Sequence, residues 1–458
     1  MARQILIIGG GISGLSLLHY LKKKYTGRSD VDIRLIEKNE YLGGTIRTIR
    51  EGPFRFETGP NGFLSSKPTT LELVRDIGLE QSLVEASEAA KRRFLCLGNE
   101  LHEIAASPTS FLTFKPFSLW DKIRVPLEIF VPRGKNPDES VYDFGKRRLG
   151  QNFSELFLDA MVTGIYGGDV RELNLKATFP RIHEIEQTYG SLFAGMIQIG
   201  MKKRKAKSDP RFNVEPKGTL TSFKGGMGEL IEALGRRYAD SISRSEKIIS
   251  FTRANNRFMV ESEGGAYSCD EIFITTPAYS AAEILFHFNK TLTRELRNIP
   301  YAPIAVIGLV LKRSAFEKLP MGFGYLTPSR EKKPVLGCLF SSNIFPGRAD
   351  GEHFLLQVMI GGSRHPQMAG FSKDELVSMA RQEIATVLKC TEAPVQVFFF
   401  KWEKAIPQYT NKYVQAMTVI EEELSNIKGL YLVSNYIGGI SLNDCVGNAK
   451  SAAQMSAL

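Results

Sequence analysis

A short apolar run at residues 4–8 passes at once into Gly9-Gly10-Gly11-Ile12-Ser13-Gly14, and a segment carrying Leu15, Leu18 and Leu21 on one side of a helical period follows. Three glycines at this spacing have a physical reading. The first permits a tight turn out of a strand, the second lets backbone approach a pyrophosphate, and the third lets the helix lie close on the strand, so that unpaired N–H groups at the helix start face the phosphates. A second strand-like run at 32–36 ends in Glu37, about where an acid meets ribose hydroxyls. Such an opening commits the chain to an α/β unit with a parallel sheet and a dinucleotide at its strand ends.

The chain has 458 residues, 43% hydrophobic and 24% charged, so it is long enough for two or three cores, and disorder is not expected. No apolar run approaches the length that spans a bilayer, and residues 4–8 are too few for a signal-peptide core, which predicts a cytoplasmic protein. Cys96, Cys269, Cys338, Cys390 and Cys445 are scattered and never spaced as Cys-x-x-Cys, so they read as reduced thiols and not as a disulfide framework or zinc site. The net charge of +10 favours an acidic partner: nucleic acid, anionic lipid or a polycarboxylate. The densest basic run, 202–207, holds no aromatic residue and precedes Ser208-Asp209-Pro210, which reads as a solvated loop, and no nucleic-acid partner is expected. None of the six histidines falls into a metal or nucleophile pattern.

No internal repeat or low-complexity linker divides the chain, so its organisation must come from where motifs fall. Residues 92–103 read as a hairpin around Gly98-Asn99, segments 141–149 and 153–161 have helical period, and Gly225-Gly226-Met227 feeds a helix striped by Leu230, Ile231 and Leu234. Strand-like runs follow at 247–251, 257–261, 271–275, 304–311 and 355–360. A buried-strand run at 429–434 leads through 435–439 into a final helix from about Asp444. A dinucleotide unit assembled from separated pieces, with other segments inserted between them, fits this order.

Taken in order, these motifs resemble the flavin-dependent amine oxidase superfamily and, within it, the oxygen-dependent protoporphyrinogen oxidases. After Glu37 come Gly43-Gly44-Thr45, Gly59-Pro60-Asn61-Gly62, Phe223-Lys224-Gly225-Gly226-Met227 and Ser434-Asn435-Tyr436-Ile437-Gly438-Gly439, with Asn443-Asp444-Cys445 entering the last helix. Two stretches are similar to the porphyrinogen oxidases in particular: Val162-Thr163-Gly164-Ile165-Tyr166-Gly167-Gly168-Asp169, running on through Glu186-Gln187-Thr188, and Gly322-Phe323-Gly324-Tyr325-Leu326. The resemblance implies an α/β fold with an α+β insert: a discontinuous Rossmann-like FAD-binding domain from residues 1–85, 211–295 and 416–458, a mixed-sheet substrate domain from 86–110 and 296–415, and a helical, membrane-contacting insertion at 111–210.

The implied cofactor is noncovalent FAD. Gly9, Gly10, Gly11, Ile12, Ser13 and Gly14 would hold the pyrophosphate, Glu37 and Lys38 the adenosine ribose, and the Ile248 backbone the adenine. Gly44, Thr45, Gly59, Pro60, Asn61 and Gly62 would lie beside the flavin, with Asn435, Ile440, Ser441 and Leu442 at its far end, where the last helix's N-terminus can stabilise charge on the reduced flavin. Many relatives have Gly-Asp where this chain has Ser434-Asn435, and those with a covalent flavin present a cysteine at this turn, for which Cys445 comes too late.

The implied reaction is a six-electron oxidation of a porphyrinogen in haem synthesis, two electrons at a time through the flavin, with dioxygen reduced to hydrogen peroxide. Arg93 would anchor a propionate, strand alternation excluding its neighbour Arg92, while Phe323, Leu326 and Met359 would sandwich the macrocycle and Gly164 admit it closely. No general base is assigned. The resemblance leaves open coproporphyrinogen III as substrate, an amine oxidase, a flavin-free binding protein of the same fold, and a homodimer. Residues 108–133 interleave Phe111, Leu112, Phe114, Phe117, Leu119, Trp120, Ile129 and Phe130 with Lys115, Lys122, Arg124 and Arg133. Two readings stand: an interfacial segment on an anionic membrane, which would make the protein peripheral on the inner face of the cell membrane, or rings packing the substrate-domain core.

Overall fold

A computed structural model describes residues 3–104, 108–207 and 218–456. The chain divides into two units, one of residues 1–85, 216–300 and 415–458, the other of 86–215 and 301–414. The helical segment after residue 110 therefore groups with the mixed sheet and does not form a unit of its own.

The first unit is built on a five-stranded parallel sheet in the order Ile242–Ser243, Val31–Ile36, Arg3–Ile8, Glu271–Ile274, Leu430–Leu432. Strands buried on both faces are made of continuous apolar residues, and in Arg3–Ile8 and Glu271–Ile274 both faces are buried: Ile5, Ile7 and Phe273 on one, Leu6, Ile8, Ile272 and Ile274 on the other. The strand after Arg3–Ile8 in the chain pairs on one side of it and the strand from residue 271 on the other, so the order reverses at the end of Arg3–Ile8. A crevice opens at such a switch point, outside the strand C-termini. The helix Ile12–Lys24 starts there, burying Leu15, Leu18 and Leu21 in one core with Val446, Ala449 and Ala453 of the last helix, Leu442–Met455. That helix begins two residues before the expected Asp444, because Ser441 and Asp444 form a reciprocal capping box.

The second unit centres on a seven-stranded mixed sheet in the order Gln396–Pro407, Tyr301–Lys312, His353–Gly361, Val335–Leu339, Gly324–Leu326, Phe94–Leu97, Glu100–Glu103. Its last two strands form the expected hairpin, with Gly98 and Asn99 both at positive φ, as a tight two-residue turn requires. Side chains alternate between faces: Cys96, Tyr325, Cys338 and Val358 pack with Leu376, Ala380 and Ile384 of the helix Lys373–Val387, whereas Leu95, Leu97 and Leu326 face Phe114, Phe117, Leu156 and Ala160. All five cysteines are free and buried. The run 202–207 belongs to the helix Leu192–Lys207, not to a loop, and residues 208–210 lie outside the described residues. No described helix is long and apolar enough to cross a membrane.

The helical segment is held by buried charges. Arg148, wholly buried, donates to Glu128 at 2.7 Å and to Glu186 at 2.6 Å, and both carboxylates are wholly buried too. Arg147 reaches Glu139 at 2.8 Å and Glu186 at 2.9 Å. Burial works to raise the Glu128 carboxyl, but the Phe193 N–H, the Ser191 hydroxyl and Arg148 outweigh it and hold it below its ordinary value; Glu186 is held low in the same way by Arg147 and Arg148. The cluster links the turn Pro126–Phe130 to the helices Val141–Arg148 and Pro180–Tyr189.

Removing one member strands the others in a dry interior. Arg148→Met should lower unfolding stability by about 3–5 kcal/mol, measured by denaturant titration. Because both carboxylates have lowered folded-state values, their stabilisation is complete above the ordinary value of 4.5 and is lost as pH falls through the folded values. Melting temperature should therefore drop on acidification below that point, and less steeply in Glu128→Gln.

Candidate functional site

The glycine turn at the switch point is tight everywhere except at one position. A Cβ on Gly14 would lie 2.0 Å from the Gly9 carbonyl oxygen, and one on Gly10 would lie 2.6 Å from the Leu42 side chain. Gly9 itself sits at φ +115°, and the Thr275 hydroxyl closes the turn from the neighbouring strand by donating to the carbonyls of Ile8 at 3.0 Å and Gly9 at 2.9 Å. On Gly11, by contrast, a Cβ would meet nothing within 4 Å. The open space lies at the N-terminus of Ile12–Lys24, whose first turn carries neither an acidic side chain nor a side-chain cap. Such a helix start accepts an anion.

A second glycine turn is drawn to the same place. Gly43 donates to the Gly10 carbonyl at 2.8 Å and forms a parallel bridge with Gly11, and the Gly11 Cα lies 3.9 Å from a Cβ built on Gly44. Beyond it, a Cβ on Gly59 would lie 2.2 Å from the Thr45 carbonyl oxygen, which fixes the loop of Pro60, Asn61 and Gly62 beside Thr45. The Glu57 carboxylate accepts from the Met227 N–H at 2.9 Å and the Thr48 hydroxyl at 2.7 Å, pinning the turn through Gly226.

Glu37 is buried, and its carboxylate accepts from the Gly10 N–H at 2.7 Å and from the Asn39 backbone and side chain at 2.9 and 2.6 Å. Its carbonyl takes the Glu246 N–H at 2.9 Å, which sets the start of the strand Ile248–Ala254, and so Ile248, at this end of the cradle. Lys38 is exposed there. At the far end, Ser441 accepts from the Asp444 N–H and donates to its carboxylate, and the Ser441 backbone N–H donates to the same carboxylate at 3.2 Å, so both its hydroxyl and its N–H are committed to the cap. Leu442 is buried in the core, Ile440 is half-buried, and Asn435 is half-buried between the last strand and that helix. Burial pushes the Cys445 thiol up to about 11, a poor nucleophile.

The second unit gathers the other candidates. Arg93 and Arg92 precede the strand Phe94–Leu97 and do not belong to it. Arg92 pairs with Glu103 at 2.8 Å; Arg93 is exposed, has no carboxylate partner among the described residues, and lies over the Phe323 ring, 4.9 Å from its centroid. Leu326 and Met359 stand opposite Gly337 from the two flanking strands, so they share a sheet face with a residue without a side chain between them. A Cβ on Gly164, in the helix Asp159–Tyr166, would come 3.0 Å from a Leu326 methyl, so this glycine lets the helix lie against Leu326. Phe323, Leu326 and Met359 all remain partly exposed.

Sequence patterns had singled out the glycines and Arg93, but not Thr275 or Glu57. Both act through partners distant in the chain and belong to no local motif.

The parallel sheet and the open, uncapped helix start at its switch point define a nucleotide-binding α/β fold. The chain belongs to the flavin containing amine oxidoreductase family, whose description matches residues 12–455. It is 30% identical to protoporphyrinogen oxidase of Homo sapiens over 477 residues, covering 99% of this chain and 98% of that one. It is 24% identical to coproporphyrinogen III oxidase of Bacillus subtilis, covering 98% and 97%. A crystal structure from Exiguobacterium sp. 255-15 superposes with a TM-score of 0.82 at 23% identity, over 99% of this chain and 98% of that one. The chain is thus a flavin-dependent oxidoreductase of this family, and the open space at Gly11 and the uncapped helix start fit the group the family carries.

Since a Cβ at Gly11 meets no protein atom, Gly11→Val should fold normally and bind no flavin. Far-ultraviolet circular dichroism should match the parent while flavin absorbance is absent from the purified protein. Acid precipitation of the parent should release all flavin to the supernatant, as expected of a noncovalent cofactor.

Proposed function

We propose that this chain is an FAD-dependent protoporphyrinogen oxidase, converting protoporphyrinogen IX and three dioxygen molecules to protoporphyrin IX and three hydrogen peroxide. The observation that carries the reading is the 30% identity to the human protoporphyrinogen oxidase over nearly the whole of both chains. Two local observations support it: a second phosphate-side turn and an adenosine-side acid, as a full dinucleotide needs, and an uncommitted arginine beside an apolar wall.

When bound, the flavin supplies a two-electron acceptor that dioxygen regenerates, so three rounds remove the six electrons. The chain's own residues bind and orient. Gly9 to Gly14 and the start of Ile12–Lys24 hold the diphosphate, Glu37, with Lys38, the ribose, and Ile248 the adenine by its backbone; Gly44, Thr45 and Gly59 to Gly62, with Asn435, Ile440, Ser441 and Leu442, line the ring and ribityl side. Arg93 takes a propionate through its planar fork, a charge-assisted contact contributing roughly 1.5–3 kcal/mol. Phe323 is held under that guanidinium, and Leu326, Gly164 and Met359 flank the macrocycle.

The Bacillus subtilis relative favours a second reading, coproporphyrinogen III, which differs in carrying four propionates. An aerobic assay of flavin-loaded protein with each porphyrinogen, following porphyrin fluorescence and peroxide, decides between them; protoporphyrinogen should give the larger kcat/KM. Arg93→Ala should raise KM at least about tenfold with little change in kcat or in the flavin spectrum, as loss of uniform binding does. Arg92→Ala, which breaks only an exposed pair with Glu103, should leave KM within about twofold.

The reading extends to an anionic membrane surface on the cytoplasmic side, through only some of the apolar residues of 108–133. Phe114 and Phe117 are buried in a core cluster with Leu95 and Leu97. Leu119, Trp120 and Phe130 are 76%, 66% and 81% exposed, and Leu112 and Ile129 are exposed as well. Exposed apolar groups concentrated in one short segment, where Ile123 and Leu127 are exposed too, support an interfacial contact. The protein should sediment with anionic liposomes, and replacing Leu119, Trp120 and Phe130 by Ser should release it without loss of stability. No sedimentation at low salt would leave this part of the reading without support.

A further inference from the structure

Asp159 opens the helix that carries Gly164, and its side chain is wholly buried. One carboxylate oxygen accepts the Ser329 backbone N–H at 2.6 Å and lies 3.3 Å from the Arg364 guanidinium, itself only 7% exposed. Arg364 also donates to the Thr327 carbonyl at 3.4 Å. Thr327 directly follows Leu326 and Ser329 comes two residues later, and Arg364 follows the strand His353–Gly361 that carries Met359. One carboxylate therefore grips all three elements that supply the apolar wall. At the other end of this helix, the carbonyl of its C-cap Gly167 takes the Ser363 N–H at 2.8 Å, so both ends of the helix are tied to the segment after His353–Gly361.

This arrangement is an unfavourable way to gain stability. Burial pushes the Asp159 carboxyl up, Arg364 opposes that, and Asp169 adds a like charge; nearby His365 is lowered by burial and then by Arg364. Among the described residues the second Asp159 oxygen, the hydroxyls of Thr163, Thr327 and Ser363, and the Arg364 Nε are buried without a hydrogen-bond partner. Apolar residues would fill such a site at lower cost, so a charge pair here acts on geometry more than on stability.

We propose that Asp159 is a positioning residue: with Arg364 it sets the spacing of Gly164, Leu326 and Met359, and through that spacing the discrimination between tetrapyrroles bearing two and four propionates. The proposal rests on the reading of this wall as the porphyrinogen site.

The test uses the full flavin-loaded chain. Asp159→Asn keeps the shape and an acceptor for the Ser329 N–H but leaves Arg364 without its counter-charge. It should raise KM for protoporphyrinogen roughly tenfold, change kcat less than about threefold, shift the KM ratio between protoporphyrinogen and coproporphyrinogen by about fivefold or more, and leave flavin content intact. Arg364→Lys keeps the charge balance, and so the fold, while losing the second guanidinium nitrogen that reaches the Thr327 carbonyl; it should shift the same ratio to a smaller extent. Unchanged KM values and ratio in Arg364→Lys, or in folded Asp159→Asn, while Leu326→Ala alters them, would overturn the clamp and leave the wall. Oxidation of neither porphyrinogen by the parent protein would instead overturn the functional reading, and the clamp's role with it.

Discussion

The first unit depends on how closely the helix Ile12–Lys24 can lie to the strand Arg3–Ile8. With 2.0 Å between the Gly9 carbonyl oxygen and any Cβ placed at Gly14, no side chain is tolerated there. The approach aims the helix start at the switch point, and the Thr275 hydroxyl locks the turn from the adjacent strand. Small residues repeat the device on the other side of that helix, where Ala449 and Ala453 of Leu442–Met455 share its core. The cradle follows from steric limits on packing: where glycine is demanded the backbone is crowded, and where it is not, at Gly11, there is room for a ligand.

The second unit uses the opposite device. Its wide sheet is filled by large side chains, and charges are buried where helices meet. Glu128 is wholly buried while Ile129 and Phe130 beside it are 50% and 81% exposed. The polarity of these neighbours runs against ordinary partition, and the reason is the partner: Arg148, the Ser191 hydroxyl and the Phe193 N–H satisfy the carboxylate, which fixes the turn with its apolar residues outward. Asp159 and Arg364 work by the same principle beside the apolar wall, with fewer of their hydrogen-bonding groups satisfied.

Arg92 and Arg93 show how context separates identical neighbours. Both have the fork that suits a carboxylate, yet Glu103 in the facing strand of the hairpin takes the first, while the second rests on a ring. The selection comes from cross-strand register, since Glu103 stands opposite Phe94 at the end of the ladder, within reach of a side chain two residues before it.

Local sequence determined the elements whose signals are local: the glycine turn with its strand and helix, Glu37 at the end of the second strand, the hairpin at Gly98-Asn99, and the apolar stripe of Gly228–Arg237. In each, backbone sterics or side-chain period is written into a few consecutive residues. Tertiary structure decided which rings of 108–133 are core and which face water, because period alone does not say what lies on either side of a short helix. It decided that 202–207 is helical, since tertiary context can override a run of like charges. It also supplied the roles of Thr275, Glu57, Arg148 and Asp159, whose partners lie up to 267 residues away in the chain. A buried polar group is defined by what satisfies it, and only the folded chain brings that partner within hydrogen-bonding distance.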